Sequence, residues 1–594
     1  MSTTPRTLFS LLAVASLVPT ASAQFAEEWT YFVRDDGMIT ESSISNSNHE
    51  TDLDWDDLDL DGDVDLVVAR SIPFMFVGKR RNILMMNEGG VLTNKSLDYA
   101  YTSDVPGDNG FFTPTQDRDV VIADIDNDGW PDVITCTDRP QAGDSKAISH
   151  PRIYRNLGDD GGGNWQGLGH EDARFPQLLH NTTGLPIAPR FMGVDAGDLN
   201  NDGFIDLYFV DQDYTNAFVN EPAGDDTDDR MLVNDGNGFF ADVTLASLAP
   251  AIASSNYSNS LALADFNLDG TLDRVKQNSH QPGPSIYVAY NDLATPGQFT
   301  TNQQAYSGSP YFVNSGDLNQ DGRPDLIWSD NGNDRYMLNR GTSGSNQAIW
   351  FTPTPYDFLS GGDDSFASNN LVADIDGDGW NDTLHADVDP ELSGYNRRLH
   401  IYHNLGGTPG ALDIVLREER ESASNSDWIG VPGMTTTDMQ GTHDVAVFDV
   451  DGDGSNELIV SRLAGTHVWR QYQAWEDRDC ALAGVTGEPE LDGTGTLQAG
   501  DDCSLVLSNA APGALCVLFV SAVETPVPFK GGVLKTVPVL LDIALTTNAA
   551  GGVTIPFAWP AGFGALTFYA QFAIADAAGP VGASLSNALA GHAP

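Results

Sequence analysis

The chain has 594 residues, 41% of them hydrophobic, and its 84 acidic and 29 basic side chains give a formal net charge of −55. This length exceeds one ordinary core and predicts several domains or one large repeat array. The charge argues against nucleic acid and anionic membranes as partners, because phosphate binding needs clustered Lys and Arg, and it favours cations.

The first 23 residues have the pattern of a secretory signal peptide. Arg6 supplies a positive charge, residues 8–18 form an apolar run too short to cross a bilayer, and residues 21–23 read Ala-Ser-Ala, a small-residue cleavage site. We predict a mature chain that begins at Gln24 and is secreted or held at the cell surface. No later apolar run is long enough for a transmembrane helix.

A nine-residue acidic motif then occurs seven times, first as Asp-Leu-Asp-Leu-Asp-Gly-Asp-Val-Asp from Asp57. Positions 1, 3, 5 and 9 always carry a side-chain oxygen, and position 6 is always Gly, as a tight loop with positive φ requires. Position 7 varies freely, which is expected if its main-chain carbonyl is the functional group. Four side chains, a carbonyl and water form an oxygen cage, which suits calcium better than magnesium because calcium takes six to eight oxygen ligands.

The motif therefore predicts up to seven structural calcium ions, with no open catalytic position. The predicted ligands are Asp57, Asp59, Asp61, Asp63 and Asp65; Asp124, Asp126, Asp128, Trp130 and Asp132; Asp198, Asn200, Asp202, Phe204 and Asp206; Asp265, Asn267, Asp269, Thr271 and Asp273; Asp317, Asn319, Asp321, Arg323 and Asp325; Asp374, Asp376, Asp378, Trp380 and Asp382; and Asp449, Asp451, Asp453, Ser455 and Glu457. The three loops with Asn at position 3 should bind more weakly, because each carries three carboxylates.

An EF-hand or a solvated acidic turn could produce a similar motif. An EF-hand needs Glu at position 12 and flanking helices, but no copy has Glu there, and β-branched runs such as residues 66–68 and 119–123 predict strands on both sides. A solvated acidic turn would account for one isolated copy. Seven copies with the same glycine and the same acid spacing argue against it for the set.

A second element follows most loops, an apolar run that ends in Asn-x-Gly, as at Asn87, Asn156 and Asn234. This ending is a hairpin turn signal. The last copy, residues 467–472, lacks it. Each repeat thus holds strand, loop, strand, then another strand and a turn, and four strands in about 60 residues make one propeller blade. The sequence predicts an all-β fold with a seven-bladed β-propeller over residues 24–478.

These repeats resemble the FG-GAP/VCBS repeats of the integrin-α-type propeller over residues 50–475. The resemblance implies that each acidic loop holds calcium between the first two strands of a blade. It also implies an extracellular or cell-surface module for binding and adhesion, with a glycan or protein as ligand. Similar calcium-bound propellers occur in fungal lectins and in some polysaccharide lyases.

The acidic motif does not occur in residues 479–594, and the pattern of this segment predicts a small β-sandwich-like module. Apolar runs at residues 504–507, 515–520, 537–541 and 566–572 are separated by Gly and Pro turns. The ending, residues 584–590, resembles C-terminal modules of secreted planctomycete proteins, which suggests a role in surface attachment or sorting, with a plain packing domain as the alternative.

Three of the four cysteines lie near the C-terminus. Because an exported protein can form disulfides, we predict one local bridge, either Cys480–Cys503 or Cys503–Cys516, and the spacing leaves the pairing open.

The sequence contains no HExxH, GxSxG or P-loop motif. We therefore expect a binding module rather than an enzyme, with a carbohydrate lyase or hydrolase and a structural cell-envelope protein as alternatives. His400 and His403 are expected to be hydrogen-bonded surface side chains rather than ligands. Two long segments contain the candidate residues for ligand binding, which could instead cap a blade: Trp165, His170, His180 and Arg190, and Arg417, Arg420 and Trp428.

Overall fold

The structure is a computed structural model that describes residues 32–40, 50–72, 78–138, 140–141, 143–212, 228–255, 257–279, 283–330, 333–356, 367–387, 399–418, 442–462, 465–472, 474–497, 500, 502–560 and 566–593. The predicted signal peptide lies outside these residues. The described chain is all-β apart from a few helical turns, and none of its helices has the length and apolar character needed to cross a bilayer. It divides into two compact units, Phe32–Gln471 and Tyr472 onward.

Short antiparallel strands make up most of the first unit. In chain order they are β1 (Phe32–Arg34), β2 (Glu50–Asp56), β3 (Asp65–Ser71), β4 (Ile83–Asn87), β5 (Leu92–Asn94), β6 (Thr102–Ser103), β7 (Asp117–Ala123), β8 (Asp132–Thr137), β9 (Arg152–Asn156), β10 (Leu168–His170), β11 (Phe191–Gly197), β12 (Asp206–Asp211), β13 (Arg230–Asn234), β14 (Phe240–Asp242), β15 (Leu261–Ala264), β16 (Asp273–Asn278), β17 (Ser285–Asn291), β18 (Phe299–Ser307), β19 (Pro310–Gly316), β20 (Asp325–Asp330), β21 (Arg335–Met337), β22 (Asn339–Thr342), β23 (Ala348–Trp350), β24 (Thr354–Pro355), β25 (Ala367–Ala373), β26 (Asp382–Asp387), β27 (Leu399–Asn404), β28 (Leu416–Glu418), β29 (Thr442–Phe448), β30 (Glu457–Arg462) and β31 (Gly465–Gln471).

Helical segments of one turn interrupt these strands. They are α1 (Ser96–Tyr99), α2 (Lys146–Ser149), α3 (Thr244–Ser247) and α4 (Pro250–Ala253), with 3₁₀ turns at Asp36–Met38, Gly110–Phe112 and Asp172–Arg174.

Seven sheets follow one another along the first unit, and we call them sheets I to VII. Their strand orders are β2-β3-β4-β5 (I), β7-β8-β9-β10 with β6 beside β10 (II), β11-β12-β13-β14 (III), β15-β16-β17-β18 (IV), β19-β20-β21-β24 (V), β25-β26-β27-β28 (VI) and β29-β30-β31-β1 (VII). Strands β22 and β23 form a separate hairpin. Each acidic loop joins the first two strands of its sheet, and the predicted strands on both sides of the loops are confirmed. Sheet VII takes its fourth strand, β1, from the start of the unit, with Phe32 opposite Gln471.

Apolar side chains fill the spaces between successive sheets. Val133 and Ile134 in β8 are both buried and point to opposite faces, because side chains alternate along a strand. Val133 packs with Val67 of sheet I, and Ile134 packs with Phe209 of sheet III. Because both faces of β8 are covered, its sequence is apolar at successive positions rather than at alternate ones.

The first strands of the sheets contact one another in a cycle, from sheet I to sheet VII and back to sheet I. Side-chain carboxylates of one first strand accept backbone N–H groups of its neighbour. Asp52 Oδ2 accepts from Val120 N at 3.1 Å, and Asp444 Oδ2 accepts from Leu53 N at 2.8 Å. These bonds satisfy edge N–H groups that would otherwise be buried without a partner.

A cavity of about 290 Å³ lies between these first strands. Five aspartates line it: Asp52, Asp54, Asp119, Asp195 and Asp444. Burial raises the pKa of Asp54 to about 8 and the pKa values of Asp195 and Asp444 to about 7. Burial, together with the neighbouring carboxylates, also raises the pKa of Asp52.

These carboxyls predict a pH-dependent stability for the calcium-free protein. A raised folded pKa favours folding while the group is protonated, so the contribution is complete below pH about 4 and is lost as the pH rises towards 8. Ionisation of Asp54 alone should lower the unfolding free energy by about 2 kcal/mol between pH 6 and pH 7.5. In urea unfolding with chelator present, Asp54→Asn should therefore flatten the fall in unfolding free energy. If the unfolding free energy of the variant falls as steeply with pH as that of the unaltered chain, Asp54 is not the source of the pH dependence.

The second unit contains two larger sheets that share one core. Its strands are β32 (Trp475–Asp477), β33 (Glu490–Thr494), β34 (Asp502–Ser508), β35 (Leu515–Ser521), β36 (Val527–Phe529), β37 (Gly532–Leu534), β38 (Leu541–Thr546), β39 (Val553–Ala558), β40 (Leu566–Ala575), β41 (Ala583–Leu585) and β42 (Leu589–Ala593), with a 3₁₀ turn at Pro580–Gly582. One sheet has the order β32-β42-β40-β35-β38, with β41 beside β40, and the other has the order β33-β34-β39. Leu505 and Leu507 of the second sheet pack with Leu518 and Phe572 of the first.

Two expectations for the second unit were wrong. A strand was expected over residues 537–541, but only Leu541 lies in a strand, β38; Pro538 has no N–H to donate to a ladder. The structure also joins none of the four cysteines, all of which it describes, in a disulfide. The predicted bridge from Cys503 to Cys480 or Cys516 is therefore not formed, and both Cys503 and Cys516 are buried in the core.

Candidate metal centres in the acidic loops

The seven acidic loops share one backbone conformation, held by their own aspartates. In every loop, Oδ2 of position 1 accepts the N–H of the glycine at position 6, over 2.7 to 3.0 Å. Oδ1 of position 5 accepts the N–H of position 7 over the same range. Position 6 has positive φ, such as 103° at Gly62, which explains the invariant glycine. Position 7 contributes only main-chain groups to this pattern, so its side chain is free to vary.

Position 9 anchors each loop to the sheet beneath it. Asp132, for example, accepts the N–H of Ile125 at 3.0 Å through Oδ2 and the N–H of Asn156 at 2.6 Å through Oδ1. The side chain is buried, and burial raises its pKa to about 8. Burial likewise raises the pKa of position 9 in the remaining loops, to about 8 at Asp65, Asp273, Asp325, Asp382 and Glu457 and to about 7 at Asp206.

Position 3 carries oxygens that suit a cation. Asp59 Oδ1, Asp126 Oδ1 and Asn319 Oδ1 are buried and accept no hydrogen bond. Leaving such an oxygen unpaired is costly, and a bound cation would remove the cost. The residues therefore fit calcium, which accepts carboxylate, amide and carbonyl oxygens.

Carboxylate groups converge in four of the loops. Three ligand atoms lie within 4.8 Å of one another in each of these sets: Asp57, Asp59 and Asp61; Asp124, Asp126 and Asp132; Asp374, Asp376 and Asp382; and Asp449, Asp451 and Asp453. These are the four loops with Asp at position 3. In the third and fourth loops the Asn at position 3 donates to the carboxylate at position 5, from Asn200 to Asp202 at 2.9 Å and from Asn267 to Asp269 at 3.0 Å.

Basic side chains contact three loops. In the second loop, Arg155 Nε lies 2.8 Å from Asp126 Oδ2, and its Nη2 lies 3.2 Å from Asp128 Oδ2. In the fifth loop, Arg323 Nη1 lies 3.1 Å from Asp321 Oδ2. In the sixth loop, His403 Nε2 lies 3.3 Å from Asp376 Oδ2. In the second loop Arg174 Nη2 also lies 3.4 Å from Asp126 Oδ2, so two guanidinium groups contact one oxygen of Asp126, while the other oxygen is the one without a partner.

The asparagine at the end of the third strand, or two residues after it in sheet V, links neighbouring loops. Asn156 Nδ2 donates to Leu58 O of the preceding loop at 2.8 Å and to Pro131 O of its own loop at 2.9 Å. The equivalent bonds to the preceding loop run from Asn234 to Ile125, Asn291 to Leu199, Asn339 to Phe266, Asn404 to Leu318 and Asn87 to Val450.

Sheet VII, which lacks the asparagine, uses Gln471 in the same place. Its Nε2 donates to Ile375 O of the sixth loop at 3.1 Å. Hydrogen bonds therefore connect all seven loops in a cycle, because Asn87 of sheet I bonds to the loop of sheet VII. The sequence identified this asparagine only as a turn residue. The asparagine recurs after the acidic loops at the end of an apolar run, and this recurrence was the signal that could have revealed its bond to the preceding loop.

Most of the candidate residues outside the loops have structural partners. Trp165 Nε1 donates to Asn156 Oδ1 at 2.8 Å, so this aromatic side chain caps the sheet. His170 is buried beside Ser103 and Asp108. The expectation that His400 and His403 are surface side chains was wrong, because both are buried in β27.

The remaining candidates lie in two parts of the first unit. His180 and Arg190 are half-buried in the segment before β11, and Arg417 is half-buried in β28, whereas Arg420 and Trp428 lie outside the described residues.

Comparison with known proteins identifies the repeats. A model of the FG-GAP-like repeat family matches residues 124–209 and 317–385, which contain the second, third, fifth and sixth acidic loops. A search of curated proteins found no match. Two solved structures are similar: the V. cholerae biofilm matrix protein Bap1 (11% identity, 83% of this chain and 69% of that chain, TM-score 0.30) and a tetra-tandem repeat in the extending region of a large adhesion protein (9% identity, 92% and 99%, TM-score 0.12). The family match confirms the resemblance seen in the sequence: the chain contains FG-GAP-like repeats.

Proposed function

We propose that the first unit is a closed, calcium-stabilised, seven-bladed β-propeller that binds an extracellular glycan or protein. The observation that carries the proposal is the sevenfold recurrence of one loop, in which the same hydrogen bonds fix the carboxylates at positions 1 and 5. In four of the copies three carboxylate oxygens converge within 4.8 Å. The cycle of contacts among the first strands, the cycle of amide bonds and the pairing of β1 with β31 all support ring closure. FG-GAP-like repeats support a role in binding and adhesion.

In this proposal the calcium ions are structural. Positions 1, 3, 5 and 9 supply side-chain oxygens and position 7 supplies its carbonyl, in the residues named for each loop above. A bound ion would neutralise carboxylates that the fold forces together. The hydrogen bonds within each loop hold the side chains in place, so the ligand of the whole protein would bind elsewhere on the ring.

The domain division and the cellular location belong to the same proposal. Residues 1–23 would direct export, residues 24–478 would form the propeller, and residues 479–594 would form a β-sandwich-like module. That module, with its two sheets over one core, is the proposed means of attachment to the cell surface.

A glycan binding assay tests this function. The purified mature chain would be incubated with anionic and neutral polysaccharides, with calcium and after chelation, and both retention on the glycan and new chain ends would be measured. We expect calcium-dependent retention without cleavage. New chain ends that disappear in chelator would contradict a binding module and favour a lyase or hydrolase. Absence of retention across the panel would contradict a glycan ligand and leave a protein as the ligand to seek.

A further inference from the structure

The sixth acidic loop differs from the others because a histidine contacts its carboxylate at position 3. His403 lies in β27 and is 4% exposed, and its Nε2 lies 3.3 Å from Asp376 Oδ2. One ring nitrogen of His403 and one carboxylate oxygen each from Asp376 and Asp378 lie within 4.8 Å of one another. Oxygens of Asp374, Asp376 and Asp382 converge within the same distance, so Asp376 belongs both to the group with His403 and to the group of loop carboxylates.

The place of His403 in its sheet has a counterpart in every other sheet. It is the residue immediately before the linking Asn404, and in sheet II the same place is taken by Arg155, which contacts the carboxylates at positions 3 and 5 of its own loop. Sheet VII also has an arginine there, immediately before Gln471. In sheets I, III, IV and V the place is taken by residues without a basic nitrogen: Met86, Val233, Tyr290 and Leu338.

Arginine and histidine offer different chemistry at this place. A guanidinium has five N–H donors and no lone pair, so Arg155 can neutralise the carboxylates but cannot bind a metal ion. A neutral imidazole has one nitrogen lone pair and is the commonest metal ligand in proteins. His403 Nε2 and Asp376 Oδ2 lie 3.3 Å apart, so a single ion at about 2.0–2.1 Å from each atom fits between them.

We propose that the sixth loop binds a divalent transition-metal ion, of the Zn²⁺, Co²⁺ or Mn²⁺ class, through His403 Nε2 and the carboxylates of Asp376 and Asp378. Calcium takes oxygen ligands, whereas a mixed set of imidazole and carboxylate suits these ions. The inference rests on the proposed function in one respect, that the loops are metal sites. It adds that one of the seven has a different metal preference.

Co²⁺ provides a direct spectroscopic test on the full mature chain. The chain would be stripped with chelator, saturated with calcium and then titrated with Co²⁺ while the visible absorption is recorded. We expect one equivalent of Co²⁺ to bind with a ligand-field spectrum. His403→Gln and His403→Arg should both lose this spectrum and the bound Co²⁺. The Arg variant reproduces the arrangement of Arg155 in sheet II and keeps a basic group at the loop.

Matched measurements separate the possible outcomes. His180→Gln, which alters a half-buried histidine far from the loop in sequence, should leave the Co²⁺ spectrum unchanged. X-ray absorption of the Zn²⁺-loaded chain should show a nitrogen ligand at about 2.0–2.1 Å, a result that does not depend on whether any variant folds. An unchanged spectrum in a folded His403 variant, or a Zn²⁺ environment of oxygen alone, would overturn the inference. Calcium analysis of the same chain tests the proposed function separately, since the remaining six loops would still bind calcium if only this inference fails.

Discussion

Chelation of calcium should lower the melting temperature of the first unit by about 10 °C. At a calcium concentration tenfold above Kd, each site adds about 1.4 kcal/mol by mass action, so seven sites add about 10 kcal/mol. The unit spans Phe32 to Gln471, and a domain of that size has an unfolding entropy of about 0.9 kcal/mol per degree. Differential scanning calorimetry in calcium and in EGTA would measure the shift.

The physical reason for this shift is the crowding of charge in the loops. Position 9 is buried with a raised pKa, and position 3 has buried oxygens without donors, at Asp59 and Asp126 for example. Without the ion, each loop must either take up protons or hold its carboxylates apart. Because the acidic loops belong to the first unit only, the second unit should melt at the same temperature with and without chelator.

Substitutions within one loop provide the matched control. Asp59→Asn replaces a position 3 carboxylate with an amide of the same shape and should weaken calcium binding at the first loop. Asp63→Asn makes the same chemical change at position 7, where the main-chain carbonyl is the proposed ligand, and should leave the bound calcium unchanged. Equal losses in the two variants, counted by isothermal titration calorimetry, would contradict the assigned ligands. An unchanged melting temperature in EGTA would contradict the structural role of the ions.

Asn234→Ala should destabilise the first unit by about 4 kcal/mol, the largest effect expected of the single substitutions considered. The side chain is buried and donates to Ile125 O at 2.7 Å and to Ile205 O at 2.9 Å. Its oxygen accepts the N–H groups of Gly236 and Gly238, both at 3.0 Å. Alanine would leave these groups without partners, and each buried unsatisfied polar group costs about 1–3 kcal/mol. Urea unfolding in calcium would measure the loss.

The neighbouring Asn237 is a suitable control, because it lies in the same turn and is exposed. Asn237→Ala should change the unfolding free energy by no more than about 0.5 kcal/mol, as is usual for surface substitutions. If both variants lose the same stability, the effect belongs to the turn, and the proposed link between sheets II and III would be wrong.

Local sequence patterns were enough to identify the repeats and the conformation of their loops. Asp57, Asp61 and Gly62 act through hydrogen bonds that close within nine residues, so their spacing alone carries the information. The strands around each loop were equally clear, because sheets covered on both faces produce continuous apolar runs. Position 4 was missed, although it has positive φ in all seven loops, as at Leu60 and Asn127. Its residue type varies, so no sequence signal marks its conformation.

By itself, the sequence determined the number of acidic loops, the oxygen ligands that each can offer and the strands that flank them, because these depend on residues near one another in the chain. Only the tertiary structure decided how the loops are linked. Asn87 bonds to Val450, β1 completes sheet VII, and Gln471 replaces the missing asparagine. Likewise, only the fold brings His403 to Asp376. These contacts join residues that are 27 to 439 positions apart in the chain. The distance between such residues depends on how the seven sheets pack, so no local sequence pattern can predict it.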